Sequence, residues 1–193
     1  MRSKESVDHG AKPMSLLKVA KLGHPVLREI ADPVPVSKIG GSQIQRLIEN
    51  MVETMREYEG AGLAAPQVHE SLQIAIIETL EYPAKTKLSS TPLMVLINPA
   101  ITVTSEKLDE DWEGCLSIPN MRGLVPRYQE IKVQAYDQNG NLLKFAAQGL
   151  QARVIQHEYD HLIGKVFLER MRNLESLSYL KEFTKYWKKQ KKD

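Results

Sequence analysis

Two histidines four residues apart, with a glutamate directly after the first, make the run Gln156-His157-Glu158-Tyr159-Asp160-His161. On an α-helix, residues at i and i+4 stack on one face with Cβ atoms about 5–6 Å apart. Both imidazoles can then reach a single cation at about 2.0–2.1 Å, and Glu158, about a quarter turn away, can touch a water bound there. The chemistry this spacing points to is hydrolysis by a metal-activated water, with a carboxylate as its proton carrier. Two imidazoles hold an ion weakly, so a third donor has to come from elsewhere in the chain.

The residues leave three candidates for it. The pattern His-x-x-Gly-x-x-His does not continue from His161, because Gly164 fits but Phe167 stands where the last histidine is required. Glu175 and Glu182 follow downstream on a strongly charged stretch, where glutamates are usually solvated. Upstream lies Cys115, the only cysteine, between Gly114 and Leu116. A thiolate with two imidazoles gives a tetrahedral site with one position open, and that donor set suits Zn²⁺, Fe²⁺, Co²⁺ or Ni²⁺ rather than Mg²⁺ or Ca²⁺.

The elements that must position these groups can be read from periodicity. A helix is expected over about 149–163, ended by Gly164. Ile44, Leu47, Ile48, Met51, Val52 and Met55 form one apolar stripe, predicting an amphipathic helix with Ser42 as N-cap and Gly60 as stop. The small residues Gly60 to Gln67 read as a loop between helix and strand. Short strands are expected over 73–78, 93–98 and 101–105, the last two either separate or one bent strand at Pro99. Residues 79–91 carry the least structural signal. Trp112 to Pro119 is compact and without helical character. Ile131, Val133 and Ala135 alternate with polar neighbours, and Asp137-Gln138-Asn139-Gly140 marks a hairpin returning through 141–145. A last helix is expected over about 174–189, with Leu177, Leu180, Phe183 and Trp187 on one side. The order of elements reads as α+β: mixed or antiparallel sheets around the histidine helix, with an N-terminal amphipathic helix and a C-terminal helix.

Composition bounds the partners. The chain has 193 residues, 42% hydrophobic and 26% charged, one ordinary globular domain. A formal charge of +2 argues against wrapping nucleic acid with the whole surface. No apolar run reaches the ~18 residues of a membrane span. Residues 1–13 are polar, with no apolar signal-peptide core, and are expected to be a disordered extension. One cysteine excludes an internal disulfide and makes a reducing, cytoplasmic setting the default.

Three stretches together resemble the signature motifs of peptide deformylases: Gly60-Ala61-Gly62-Leu63-Ala64-Ala65-Pro66-Gln67, Glu113-Gly114-Cys115-Leu116-Ser117 and the His-Glu-x-x-His run. Gly23-His24-Pro25-Val26-Leu27-Arg28 is similar to the N-terminal signature of the same family. The resemblance covers residues 14–171, leaving 172–193 as a basic C-terminal helix and tail. It implies removal of the formyl group from N-terminal formylmethionine of new polypeptides, with release of formate. By the same resemblance Cys115, His157 and His161 hold the metal, and Glu158 moves the proton. The Gln67 side chain and the Leu116 N–H serve as oxyanion donors. An extended peptide is implied along Ala61, Gly62 and Gly114, with its methionine in a pocket lined by Leu63, Leu150 and Val154. Ferrous iron is the ion expected natively, with zinc, nickel or cobalt in preparations. The partners implied are nascent chains and, through the lysine-rich C-terminus, the ribosome, but neither DNA nor a membrane. A bacterial cytoplasm is the default location, and an organelle also fits.

Two positions depart from the family's common pattern, Ala61 and Arg153. Arg153 is expected to line the pocket with its stem and keep its charge in water. Arg122 and Arg127 are expected either to meet substrate carbonyls or to be solvated, and Glu113 to brace the cysteine loop. Two other classes remain in view. One is an endopeptidase using Glu175 or Glu182; the other is a peptide binder with a structural metal, which would need neither Glu158 nor Gln67.

Overall fold

The computed structural model describes residues 15–79 and 91–188. The extension at 1–13, most of the weakly patterned 79–91 segment and the terminal lysines 189, 191 and 192 lie outside the described residues. The chain runs through α1 (Ser42–Glu57), β1 (Gly62–Ala64), β2 (Ile74–Thr79), β3 (Thr91–Val103), β4 (Leu108–Cys115) and β5 (Ile118–Tyr128). It continues as β6 (Glu130–Tyr136), β7 (Leu142–Gln148), α2 (Gly149–Leu162), β8 (Ser178–Tyr179) and a short α3 (Leu180–Glu182) that passes into a π-helical turn (Phe183–Trp187).

All strand pairing between these elements is antiparallel, in a five-stranded sheet ordered β1-β2-β3-β6-β7 and a three-stranded sheet ordered β4-β5-β8. This is the α+β arrangement that the sequence predicts, with α2 at its centre. Ala152, Val154 and Ile155 of α2 pack on Ile77, Leu96, Ile131 and Val133 of the larger sheet. The stripe of α1 covers another part of the same sheet, with Ile48, Met51 and Met55 against Ile74, Ile76, Val95 and Ile97. Burying a side chain of this kind is worth about 1.5–3 kcal/mol, so these two helix faces anchor the fold.

Local details differ from the sequence reading. Gly41 is the extended residue before α1, and Ser42 is its first helical residue, because the turn after Val36–Lys38 uses up residues 39–41. The stop is shared: Glu59 takes φ 52°, and the Gly60 N–H closes on the Met55 carbonyl at 2.8 Å. Pro99 bends one long strand rather than separating two, with the register shifting between Ile97 and Ala100. Gly164 does end α2, at φ 71°.

The largest correction is at the C-terminus. The helix expected from Leu174 starts only at Leu180, and Ser178 and Tyr179 pair with Arg122 and Met121. The Ser176 hydroxyl accepts the Leu124 N–H at 3.0 Å. Serine hydroxyls and a strand edge offer this backbone partners outside a helix, and the tertiary pairing prevails over apolar periodicity. Trp112 then packs on Phe183 and Trp187, with ring centroids 4.8 and 5.6 Å apart. The segment 172–187 is thereby tied to the smaller sheet.

Candidate active site

Helix α2 is buried on nearly every face, so its polar residues each need a partner inside the protein. Gln156 pairs with the backbone of Tyr128, its Oε1 accepting the N–H at 3.1 Å and its Nε2 donating to the carbonyl at 2.9 Å. His157 and His161 face the β4–β5 hairpin, whose tip carries Cys115. The donor atoms of Cys115, His157 and His161 lie within 4.8 Å of one another, all three residues being buried. Sγ is 3.3 Å from His161 Nε2. The sequence candidates Glu175 and Glu182 do not join this cluster; Glu175 hydrogen-bonds Asn173 at the surface.

The hairpin is the element whose sequence signal was weakest. Its strands pair from Leu108↔Tyr128 to Cys115↔Ile118, with an irregularity between Glu113 and Cys115. Beyond that irregularity the Ser117 N–H donates to Sγ at 3.4 Å, and Leu116 lies at the cavity beside the cluster.

Behind the cluster lies a buried charge network. Glu113 Oε2 accepts His157 Nδ1 at 2.8 Å. The same carboxylate takes two bonds from Arg127, at 2.9 and 3.0 Å, and one from Arg153 at 2.8 Å. Arg127 reaches on to Asp160 at 2.6 Å, and Asp160 is also gripped by Arg170. Both expectations for Arg127 are thereby corrected: its side chain is 5% exposed, and it meets protein carboxylates rather than solvent or substrate. Arg153 lines the cavity beside this cluster, as expected, but the expectation that its charge stays in water is corrected. Its guanidinium is buried, donating to Glu113 and to the carbonyls of Val125 and Asp109. A charge on this helix face can stay only where strand carbonyls and a carboxylate surround it. The same bonds brace the cysteine hairpin, as expected of Glu113.

Electrostatics follow from that geometry. Burial opposes ionisation of Glu113, but hydrogen bonds and charge from His157 and Arg127 outweigh it and hold the carboxyl well below its usual range. Burial likewise opposes the Cys115 thiolate, yet the facing His161 and His157 bring the thiol well below its ordinary value. A thiolate is the form a soft cation binds. With Nδ1 of His157 committed to Glu113, its Nε2 is the nitrogen left for an ion. Burial pushes the Glu158 carboxyl up to about 7, despite the nearby imidazoles. Its Oε2 has no hydrogen-bond partner among the described residues.

A cavity of about 1180 Å³ opens beside the cluster. Ala61, Gly62, Gly114, Leu150 and Val154 line it, with Gln67, Leu116 and Glu158. Leu63 does not: successive strand residues point to opposite faces, and Leu63 is fully buried among Met51, Met55 and Ile76. Gly62 is required by proximity, since a Cβ there would stand 2.4 Å from Glu158 Oε1. Gln67 is fixed at both ends of its amide. Oε1 accepts the Ala64 N–H at 2.8 Å, while Nε2 points to Ser117 Oγ at 3.3 Å and Cys115 Sγ at 3.5 Å. The walls include terminal strands: β1 ends one sheet and β4 ends the other, so among the described residues each has a side with no further strand, and Arg153 covers the β4 carbonyls of Asp109 and Asp111. His24 and His69 lie apart from this site, stacked edge to face, with His24 capping the turn at Val26.

Comparison with known proteins decides the family. The family model for polypeptide deformylase matches residues 16–177. The chain belongs to the peptide deformylase family. It is 42% identical over 161 residues to peptide deformylase 2 of Pseudomonas putida, covering 83% of this chain and 90% of that one. It is 39% identical over 169 residues to the chloroplastic peptide deformylase 1A of Solanum lycopersicum, covering 83% of this chain and 61% of that one. Among solved structures, the class I type b peptide deformylase of Acinetobacter baumannii with Met-Ala-Ser bound superposes with a TM-score of 0.78 at 36% identity. The match covers 82% of this chain and all of that one. The family's motif stretches are the ones that converge here: the Gly60–Gln67 stretch, the cysteine hairpin and α2 all line a single cavity. Sequence reasoning did not find Asp160 and Arg170. A signal existed for Arg153, four residues before His157 on the helix face that carries both histidines.

Proposed function

We propose that this protein hydrolyses the formyl amide of N-formylmethionyl peptides, releasing formate. The observation that carries this reading is the meeting of Cys115, His157 and His161 beside a buried Glu158 and an anchored Gln67. Cys115 Sγ and the two imidazoles would hold a divalent ion, and the buried thiolate–imidazole set fits one of borderline softness, ferrous iron first and zinc, nickel or cobalt as substitutes. Such an ion supplies Lewis-acid activation of water near neutral pH. Glu158 takes the proton of the attacking water and passes it to the departing amine. A carboxyl brought up to about 7 by burial can do both. Gln67 Nε2 and the Leu116 N–H donate to the oxygen that gains charge as the carbonyl carbon becomes tetrahedral. The terminal position of β1 and β4, with Ala61, Gly62 and Gly114 at the cavity, supports binding of the peptide as an extended strand between the sheets. Leu150 and Val154 receive the methionine side chain, and Arg153, which also lines the cavity, has its guanidinium tied to Glu113.

The test is formate release from formyl-Met-Ala-Ser, with casein cleavage followed in parallel. The expected result is formate from the wild type only, abolished in Cys115→Ala and Glu158→Ala, with casein intact. Casein cleavage that survives Cys115→Ala would instead establish an endopeptidase. Metal analysis after anaerobic purification is expected to return iron. No helix among the described residues is long and apolar enough to cross a membrane. Nascent chains would be met in the cytoplasm. The basic C-terminal segment, with Lys181, Lys185 and Lys188, would dock on ribosomal RNA there. Cosedimentation with ribosomes should then fall steeply with salt and vanish on deleting residues 182–193.

A further inference from the structure

Gln67 and Leu116 come from different parts of the molecule, one after β1 of the larger sheet and the other at the tip of the β4–β5 hairpin. Three consecutive residues near the N-terminus touch both. The Ala20 N–H donates to the Gln67 carbonyl at 2.7 Å, and the Leu22 N–H to the Ser117 carbonyl at 2.9 Å. Between them, Lys21 Nζ donates to the Leu116 carbonyl at 2.9 Å. The segment is itself secured on either side. The Leu17 N–H donates to Thr54 Oγ1 of α1 at 2.9 Å, and Ala20 packs with the buried Val26 and Leu27.

We infer that residues 20–22 form a strap that sets the separation of the two oxyanion donors, with Lys21 as its positioning residue. The inference rests on the deformylase reading of Gln67 and Leu116. The Leu116 carbonyl belongs to the same peptide unit as the Ser117 N–H, which donates to Cys115 Sγ at 3.4 Å. An ammonium on that carbonyl fixes the plane of the peptide and strengthens its N–H as a donor. This unit and the one that carries the Leu116 N–H share the Leu116 Cα, so anchoring the first limits how far that N–H can be displaced. Lys21 lies at the cavity wall and also faces the Tyr58 ring, 6.0 Å from its centroid. Its hydrogen bond lies at the exposed rim, so it adds little to folding, but displacement of a donor by a fraction of an ångström is costly where charge develops.

The experiment compares wild type, Lys21→Met and Lys21→Arg. Lys21→Met should lower kcat for formyl-Met-Ala-Ser by about five- to twentyfold, less than loss of a whole donor, with KM within about twofold. Lys21→Arg, which can still reach the carbonyl, should keep most of kcat. Independently of turnover, amide hydrogen exchange across 115–118 should be faster in Lys21→Met than in wild type at unchanged Tm. Unchanged exchange, unchanged kcat, a change in KM alone, or a loss that tracks Tm and is not restored by arginine would each overturn the strap. Failure of the wild type to release formate would defeat the deformylase reading instead, and the exchange comparison would still decide whether Lys21 holds the hairpin.

Discussion

Replacing Glu113 by glutamine tests the charge network most directly, because it keeps shape and removes only charge and one acceptor. Oε1 accepts Arg127 Nε and Arg153 Nη1; Oε2 accepts Arg127 Nη2 and His157 Nδ1. A glutamine can place its carbonyl at only one of these positions. With the carbonyl toward the arginines, its NH₂ meets His157 Nδ1–H, two donors face to face. The imidazole must then shift its proton to Nε2, the nitrogen that an ion needs free. Removing one partner from a buried charge pair costs about 3–5 kcal/mol, and the lower end applies because Asp160 and Asp109 still face the arginines. At about 2–4 °C per kcal/mol for a chain of this length, Tm should fall by about 6–12 °C. Zinc affinity, measured by competition with a chromogenic chelator at neutral pH, should fall about 10–100-fold, the usual cost of losing the group that orients a ligating histidine. Zinc affinity within about threefold of wild type, with Tm within about 2 °C, would refute the reasoning. It would mean that His157 is held by its stacking on Phe167, whose ring lies 6.3 Å away, and not by Glu113.

Other outcomes follow from single contacts. Gly62→Ala should retain metal yet lose about 10²-fold in kcat, since the new methyl displaces the Glu158 carboxylate from 2.4 Å; single-turnover formate release with metal analysis checks both. Gln67→Leu should lose about 10²–10³ in kcat. It should also be destabilised by about 1–3 kcal/mol, because the buried Ala64 N–H loses its acceptor; urea titration of the metal-loaded protein reads the second effect. Trp112→Ala should free the Ser178–Trp187 segment, seen as tryptic cleavage at Lys181 or Lys185 under conditions that leave wild type intact. The Arg56 hydrogen bond, against a smaller cost of burial, holds Glu78 below the ordinary carboxylate range. Its stabilisation is therefore present above the unfolded value of about 4.3 and lost as pH falls through the folded one. The stability difference between wild type and Arg56→Gln should shrink below about pH 4 in denaturant titrations.

Much of the site was legible because its chemistry is local. His157, Glu158 and His161 obey helical spacing, and α1 and β6 declare themselves through clean periods of 3.6 and 2. The Cys115 hairpin was harder to read. Leu108 to Cys115 is dominated by acidic residues with no apolar alternation, and it is a strand only because β5 supplies its partners. The charge of Arg153 was expected in water, and that of Arg127 in water or on substrate, for a related reason: sequence shows a charge but not the carboxylates that will surround it. Leu63 sat beside the correct glycine and was assigned to the wrong face, an error of one residue that strand alternation converts into a change of side. Residues 174–179 show the converse, a helical pattern overruled by serine hydroxyls and a free strand edge.

The sulfur and the two imidazoles reach one another only after a distant hairpin has docked on α2. An ion that meets the paired histidines before that docking would find the Cys115 sulfur still out of reach. Firm retention must therefore come last, after both sheets are assembled, and loss of the ion should be an early report that the hairpin has let go. A chelator-triggered release rate would then track local opening of this one joint, well before the molecule as a whole comes apart.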